Sequence, residues 1–251
     1  MKRLYVPTVS TEDWKRLLAK PDLHWKPGKS AMSLAMCWEA AHPDFPPEVR
    51  HVLEATGDPQ LADLRILAAI PEYQVELPGG STASQTDLLV VARNERGLVV
   101  IAIEGKVDED FGPTLESKRK EPSPGQTLRL ELLHKTLGLG DPGPDSLRYQ
   151  LLHRSASAIL VAHEFHAKAA VMLVHSFSAT SKQFRDFSAF AALVADAVEP
   201  NRIVQAKSVT HPTFFIGWCT GDRSFLGLAP QRVAANKPLK RMVGRRRPPT
   251  A

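Results

Sequence analysis

Asp87, Glu104 and Lys106 are the residues of this chain whose types and spacing could do chemistry. Two carboxylates and an amine stand at the ends of two strongly apolar runs. Residues 88–92 (LLVVA) form the first run and residues 98–103 (LVVIAI) the second, with Asn94-Glu95-Arg96-Gly97 between them. Runs this continuous read as β-strands buried on both faces, and Gly97 is free to take the positive φ of a tight turn. Side chains alternate along a strand, so Glu104 and Lys106 share a face with Gly105 between them. In an antiparallel hairpin the start of one strand lies beside the end of the next, which places Asp87 near Glu104. Charges at the end of buried strands are costly unless they are paired, hydrated or bound to a metal. Two carboxylates can hold Mg²⁺, and an adjacent lysine can orient or deprotonate a water.

The rest of the chain must position those three groups. Ser10 and Asp13 form a capping-box-like start for a helix over 10–19, which Pro21 ends. Ser30 is the expected cap of a helix over 31–42, with Ala31, Leu34, Ala35 and Trp38 on one face and Glu39 just after. A short helix is expected over 46–56, and another from Asp58 as N-cap with Pro59 at its first position. The first core strand is expected within 66–80, where Glu72 and Glu76 could approach the site but are equally explained as solvated strand positions, and Pro78-Gly79-Gly80 is the turn into the hairpin. The following segment is not a phosphate-binding loop, because it lacks Gly-Lys-Ser/Thr and leads into a strand.

After Lys106, residues 107–125 are charged and proline-rich and read as a loop or flap at the site mouth. The acidic run Asp108-Glu109-Asp110 and the basic run Lys118-Arg119-Lys120 fall there. A helix is expected from residue 126, ending near Gly138 or Gly140. A second, capped by Asp145 or Ser146, carries Arg148, Gln150, His153 and Arg154 in its first turns. Residues 169–178 read as a buried strand reached by a crossover, 181–198 as a helix whose phenylalanines enter the core, and 201–221 as two late strands. His163 and His166 lack a third ligand, His175 and His211 have no evident partners, and two thiols alone do not make a zinc site.

Thr86-Asp87 on one strand and Glu104-Gly105-Lys106 on the next resemble the PD-(D/E)XK nuclease superfamily, with Thr86 in the place of the proline of the name. The resemblance implies an α/β, restriction-endonuclease-like fold, with a central mixed β-sheet flanked by helices. It implies a nuclease dependent on Mg²⁺ or Mn²⁺, with Asp87, Glu104 and the Gly105 carbonyl as metal ligands and Lys106 acting on the attacking water. It further implies Glu39 facing the metal from an N-terminal helix, and Gln150, Arg148 and Arg154 contacting a nucleic-acid substrate, DNA first. Neighbouring cations are expected to keep both carboxylates ionised. The alternatives are a non-catalytic nucleic-acid-binding or interaction module that keeps the fold, and a hydrolase of another phosphorylated substrate.

A chain of 251 residues, 43% hydrophobic and 24% charged, can bury one large core. Residues 1–235 are read as a single domain with an N-terminal helical part. Residues 236–251 hold six Lys and Arg and no acid, against a whole-chain net charge of +5, which leaves −1 on the rest. That tail is expected to be disordered, and reads either as a phosphate-attracting segment or as a solubilising terminus. With no membrane-length apolar run, no signal-peptide-like start and only Cys37 and Cys219, a cytoplasmic protein is expected, and sequence specificity could come from a homodimer.

Overall fold

The computed structural model describes residues 4–80, 82–140 and 143–227; the basic segment 236–251 lies outside the described residues. The helices are α1 (Thr11–Leu17), α2 (Pro21–His24), α3 (Ser30–Ala41), α4 (Pro47–Glu54), α5 (Leu115–Arg119), α6 (Pro124–Thr136), α7 (Tyr149–Glu164) and α8 (Phe184–Val194). The strands are β1 (Arg65–Val75), β2 (Ser84–Asn94), β3 (Gly97–Lys106), β4 (Ala169–Ser176), β5 (Arg202–Gln205) and β6 (Thr213–Thr220). They form one sheet in the order β1-β2-β3-β4-β6-β5. β1, β2 and β3 make an antiparallel meander, β4 runs parallel to both β3 and β6, and β5 closes the far edge antiparallel to β6. This is an α/β fold: a six-stranded mixed open sheet flanked by helices.

Strand alternation divides the core in two. Leu89, Val100, Ala102, Met172 and Ile216 pack with residues of α6, α7 and α8. Leu88, Val90, Ile101, Ile103, Val171 and Leu173 pack with residues of α3 and α4. The central hairpin pairs Leu88 with Ile103 and closes at Asn94 opposite Gly97. Gly97 has φ 130°, and Asn94 Oδ1 accepts from the Arg96 N–H at 2.8 Å. The parallel step from β3 to β4 needs a long crossover, and residues 107–168, with α5, α6 and α7, supply it.

Several elements differ from the sequence reading. The expected first core strand is an edge strand, so the first half of β1 is solvent-facing and Leu67 is 55% exposed. The expected helix after Asp58 is only a series of turns: Asp58 Oδ1 accepts from the Gln60 N–H at 2.8 Å as an N-cap does, but Asp63 takes a left-handed φ of 52° and the chain enters β1. The expected flap over 107–125 is anchored by Phe111 and Leu115, both fully buried, and contains α5. α7 begins at Tyr149 without a side-chain cap. Asp145 instead pairs with Arg119, and Leu147 O accepts from the Leu115 N–H at 2.8 Å. α3 is buried from Met32 to Trp38 rather than on one face. Ser30 is its first residue, and its N–H and hydroxyl donate to Glu109 Oε1 at 3.1 and 3.3 Å. Among the described residues no helix is long and apolar enough to cross a membrane.

Candidate functional site

β3 delivers Glu104 and Lys106 to the face covered by α7, both almost wholly buried. Lys106 Nζ donates to Glu104 Oε1 at 2.8 Å and to Gln150 Oε1 at 3.2 Å. Gln150 Nε2 donates back to Glu104 Oε1 at 2.7 Å. Arg154, one helical turn further along α7, donates Nε to Glu104 Oε2 at 2.6 Å and Nη1 to Ser84 Oγ at 2.9 Å. Ser84 Oγ in turn lies 2.9 Å from His153 Nδ1. The Lys106 ammonium sits 4.8 Å from the centre of the Phe111 ring, a favourable cation–π placement. The segment expected as a flap thus forms part of the site wall.

Asp87 enters from β2. Its Oδ2 accepts from the Gly105 N–H at 2.8 Å, so Gly105 contributes its amide to fixing the carboxylate. A Cβ at Gly105 would meet Leu34 Cδ2 of α3 at 3.3 Å and Asp87 Oδ2 at 3.5 Å, so little room exists for a larger residue. Glu72 joins from β1. Pro71 faces Leu88 and Tyr73 faces Thr86, which sets Glu72 opposite Asp87. Glu72 has φ 53°, a left-handed backbone that is unusual for a non-glycine residue. The irregularity lets Ile70 and Tyr73 pack on the same side of the sheet, where strict alternation would separate them. Glu72 Oε2 accepts from Gln85 Nε2 at 2.6 Å.

Two expected site residues are engaged elsewhere. Glu39 Oε1 accepts from Trp14 Nε1 at 2.7 Å and Thr8 Oγ1 at 3.2 Å, so it ties α3 to the N-terminal segment. Arg148 donates Nε to Asp186 at 2.6 Å and Nη1 to the Gly112 carbonyl at 2.9 Å. It is a brace between α7, α8 and the β3–α5 connection. Glu72, not Glu39, is the carboxylate that the structure sets beside Asp87.

The expectation that cations keep both Asp87 and Glu104 ionised holds for only one of them. Lys106 and Arg154 both contact Glu104 and, against the effect of burial, hold its carboxyl down near 2. Burial and the Glu104 charge push Asp87 up to about 7, and burial and Asp87 push Glu72 up to about 8. Burial and Arg154 keep His153 well below its ordinary value, so its ring is neutral near pH 7, and its Nδ1 shares a hydrogen bond with Ser84 Oγ.

Gln150 and Arg154, four residues apart, share a helix face, a signal legible in the sequence. Ser84 carried no such signal, since only the observed start of β2 places it beside Arg154. A separate cleft lined by Gly138, Leu139, Gly140, Gly143, Pro144 and Leu193 shares no residue with the carboxylate site. On the opposite face of the sheet, His175, Glu48 and Cys37 form a second polar cluster. His175 is fully buried and hydrogen-bonded, contrary to the expectation that it has no partner.

Residues 7–223 match a family described as a domain of unknown function, DUF6946. The chain belongs to the DUF6946 family. No curated protein and no solved structure matches it. The matched span contains the whole Glu72–Asp87–Glu104–Lys106 site, the α7 residues that cover it, and the second cluster behind it.

Proposed function

We propose that this DUF6946 chain is a divalent-metal-dependent nuclease of restriction-endonuclease-like fold that hydrolyses phosphodiester bonds, with DNA as the first substrate class. The observation that carries the reading is the convergence of Asp87, Glu104 and Lys106 at adjacent strand ends, with Gln150 bridging Glu104 and Lys106. The fit to a hard cation rests on the donor set. Asp87, Glu104 and Glu72 offer carboxylate oxygens, which suit Mg²⁺ or Mn²⁺ rather than a soft ion. Among the described residues, the hydrogen bonds to Asp87 and to Glu72 each engage one carboxylate oxygen. Burial and the neighbouring carboxylate charges push both up, against the pull of Arg154.

Asp87, Glu104 and Glu72 would hold the ion, which when bound supplies charge neutralisation at the phosphate and an acidified water. Gly105 fixes the Asp87 carboxylate through its N–H. Lys106 would exchange Glu104 for the attacking water, or for the charge that builds on the phosphate. Gln150 holds Lys106 and Glu104 in register, and Arg154 keeps Glu104 ionised and oriented. The basic segment 236–251, outside the described residues, would add sequence-independent attraction to the backbone of a nucleic acid. A homodimer is one way to add sequence specificity.

One observation favours a second reading, a nucleic-acid-binding module without catalysis. Both oxygens of Glu104 are already engaged by Lys106, Gln150 and Arg154. Cleavage of supercoiled plasmid, single-stranded DNA and RNA, with Mg²⁺, Mn²⁺ or EDTA, separates the two. Metal-dependent cleavage lost in both Asp87→Ala and Lys106→Ala supports the nuclease. Cleavage that survives both substitutions overturns the site. Salt-sensitive DNA binding without cleavage selects the second reading.

A further inference from the structure

Among the described residues, Cys37, Glu48 and His175 are the one group of three or more His, Cys, Asp or Glu side chains whose ligand atoms all lie within 4.8 Å of one another. They come from α3, α4 and β4, more than a hundred residues apart at the extremes. His175 is 0% exposed and Cys37 2% exposed. Cys219 adjoins them: it is the ladder partner of His175 on β6, fully buried and in the same core cluster as Cys37. The cluster lies behind the carboxylate site, since Gly105 pairs with His175 across β3 and β4.

The spacing fits a small tetrahedral cation. With Zn–S near 2.3 Å and Zn–N or Zn–O near 2.0 Å, a tetrahedron has S···O edges of about 3.5 Å and N···O edges of about 3.3 Å. Cys37 Sγ lies 3.5 Å from Glu48 Oε1, and His175 Nε2 lies 3.1 Å from the same oxygen. Thiol, imidazole and carboxylate together suit Zn²⁺ or a similar borderline-soft ion, and suit Mg²⁺ and Ca²⁺ poorly.

We infer that Cys37, Glu48 and His175, with Cys219 as the fourth donor, form a zinc-type site distinct from the carboxylate site on the other face of the sheet. In the metal-free state the same groups are joined by hydrogen bonds. Trp38 Nε1, a donor only, points at His175 Nδ1 at 3.3 Å. Nδ1 therefore accepts, and Nε2 carries the proton donated to Glu48. Glu48 also accepts from the Cys37 thiol and, at 3.4 Å, from the Asp222 N–H. Metal uptake removes the thiol protons of Cys37 and Cys219 to buffer. It also frees Nε2, with a proton now borne on Nδ1, so the Trp38 indole must turn away. Cys219, whose Sγ lies 3.8 Å from the Thr220 carbonyl, must turn toward the cluster. Trp38 thus opposes uptake, which sets this site apart from one whose ligating histidine finds an acceptor at Nδ1.

The test is titration of the metal-free full-length chain with Co²⁺ and then Zn²⁺, read by absorption. The expected result is one equivalent of Co²⁺ bound with a thiolate-to-cobalt charge-transfer band, displaced by Zn²⁺. The band falls in Cys37→Ser, weakens in Glu48→Gln (a half-buried residue whose substitution spares the core), and is unchanged in Asp87→Ala. Trp38→Phe tightens binding by about tenfold. Absence of the band in the wild-type chain, or a band unaffected by Cys37→Ser, overturns the site. The wild-type titration needs no variant to fold, and neither outcome bears on the Asp87 nuclease reading, because that site contains no sulfur.

Discussion

At the scale of single residues, the carboxylates on β1, β2 and β3 are unequal because their cations are unequally shared. Lys106 and Arg154 both contact Glu104, while burial and neighbouring carboxylate charge outweigh the more distant cations at Asp87 and Glu72. Folded values of about 7 for Asp87 and 8 for Glu72 lie above the unfolded values near 4. The folded metal-free chain therefore binds these protons more tightly than the unfolded one. Their contribution to stability is complete below about pH 4 and is lost progressively from there as pH rises through 7 to 8. Glu104, held near 2, behaves oppositely: its contribution is present above about pH 4.3 and is lost as pH falls toward 2. Denaturant midpoints measured across pH should show both limbs, and Glu72→Gln should flatten the alkaline one. An alkaline slope identical in Glu72→Gln and wild type would rule out the Glu72–Asp87 pairing. For the nuclease, the ion and these protons compete for the same carboxylates, so the Mg²⁺ concentration needed for cleavage should fall as pH rises toward 8, and Lys106→Ala should lower kcat by about 10²- to 10³-fold. Arg154→Met leaves Glu104 buried with fewer partners, and chemical denaturation should report a loss of about 3 kcal/mol.

At the scale of elements, the segment after β3 matters more than its composition indicates. Glu109 receives the Ser30 N–H at the start of α3 and, on Oε2, the Val107 N–H at 2.9 Å. One carboxylate thus caps a buried helix and pins the chain just beyond Lys106. Those amide bonds hold the Glu109 carboxyl below its ordinary value despite burial. Glu109→Ala should cost about 1 kcal/mol at neutral pH, measured by urea unfolding, and the difference should shrink as pH falls below the ordinary glutamate range. A pH-independent difference would mean that packing, not the charge on the helix end, sets the effect.

At the scale of the whole molecule, the sheet brings groups from four distant parts of the chain to one place. β1 brings Glu72, β2 Asp87, β3 Glu104 and Lys106, and the crossover helix α7 covers them with Gln150 and Arg154. A cation that binds this arrangement and not the unfolded chain stabilises the fold by mass action. At a hundredfold excess over its dissociation constant, Mg²⁺ should add about 2.7 kcal/mol. Thermal melts at pH 8 with and without Mg²⁺ should show that shift in the wild type and not in Asp87→Ala. An equal shift in both would place the ion elsewhere.

The amino-acid sequence alone determined the central hairpin, its turn at Gly97 and the shared face of Glu104 and Lys106. Each follows from local rules: apolar runs, turn chemistry and the two-residue period of a strand. Gln150 and Arg154 stood out through the likeness of their helix start to the nuclease superfamily, a likeness that pointed equally to Arg148. Tertiary structure decided the rest. Whether Glu39 or Glu72 reaches Asp87 depends on which oxygen Trp14 binds and on a left-handed kink in β1, and no local pattern encodes either. Arg148 is drawn to Asp186 on another helix, and Glu109 to the end of α3. The thiols and the histidine behind the site, bland as separate residues, acquire meaning only because α3, α4, β4 and β6 meet there. Long-range pairing chooses among partners that local sequence leaves equally available, and burial then fixes the charge each one carries.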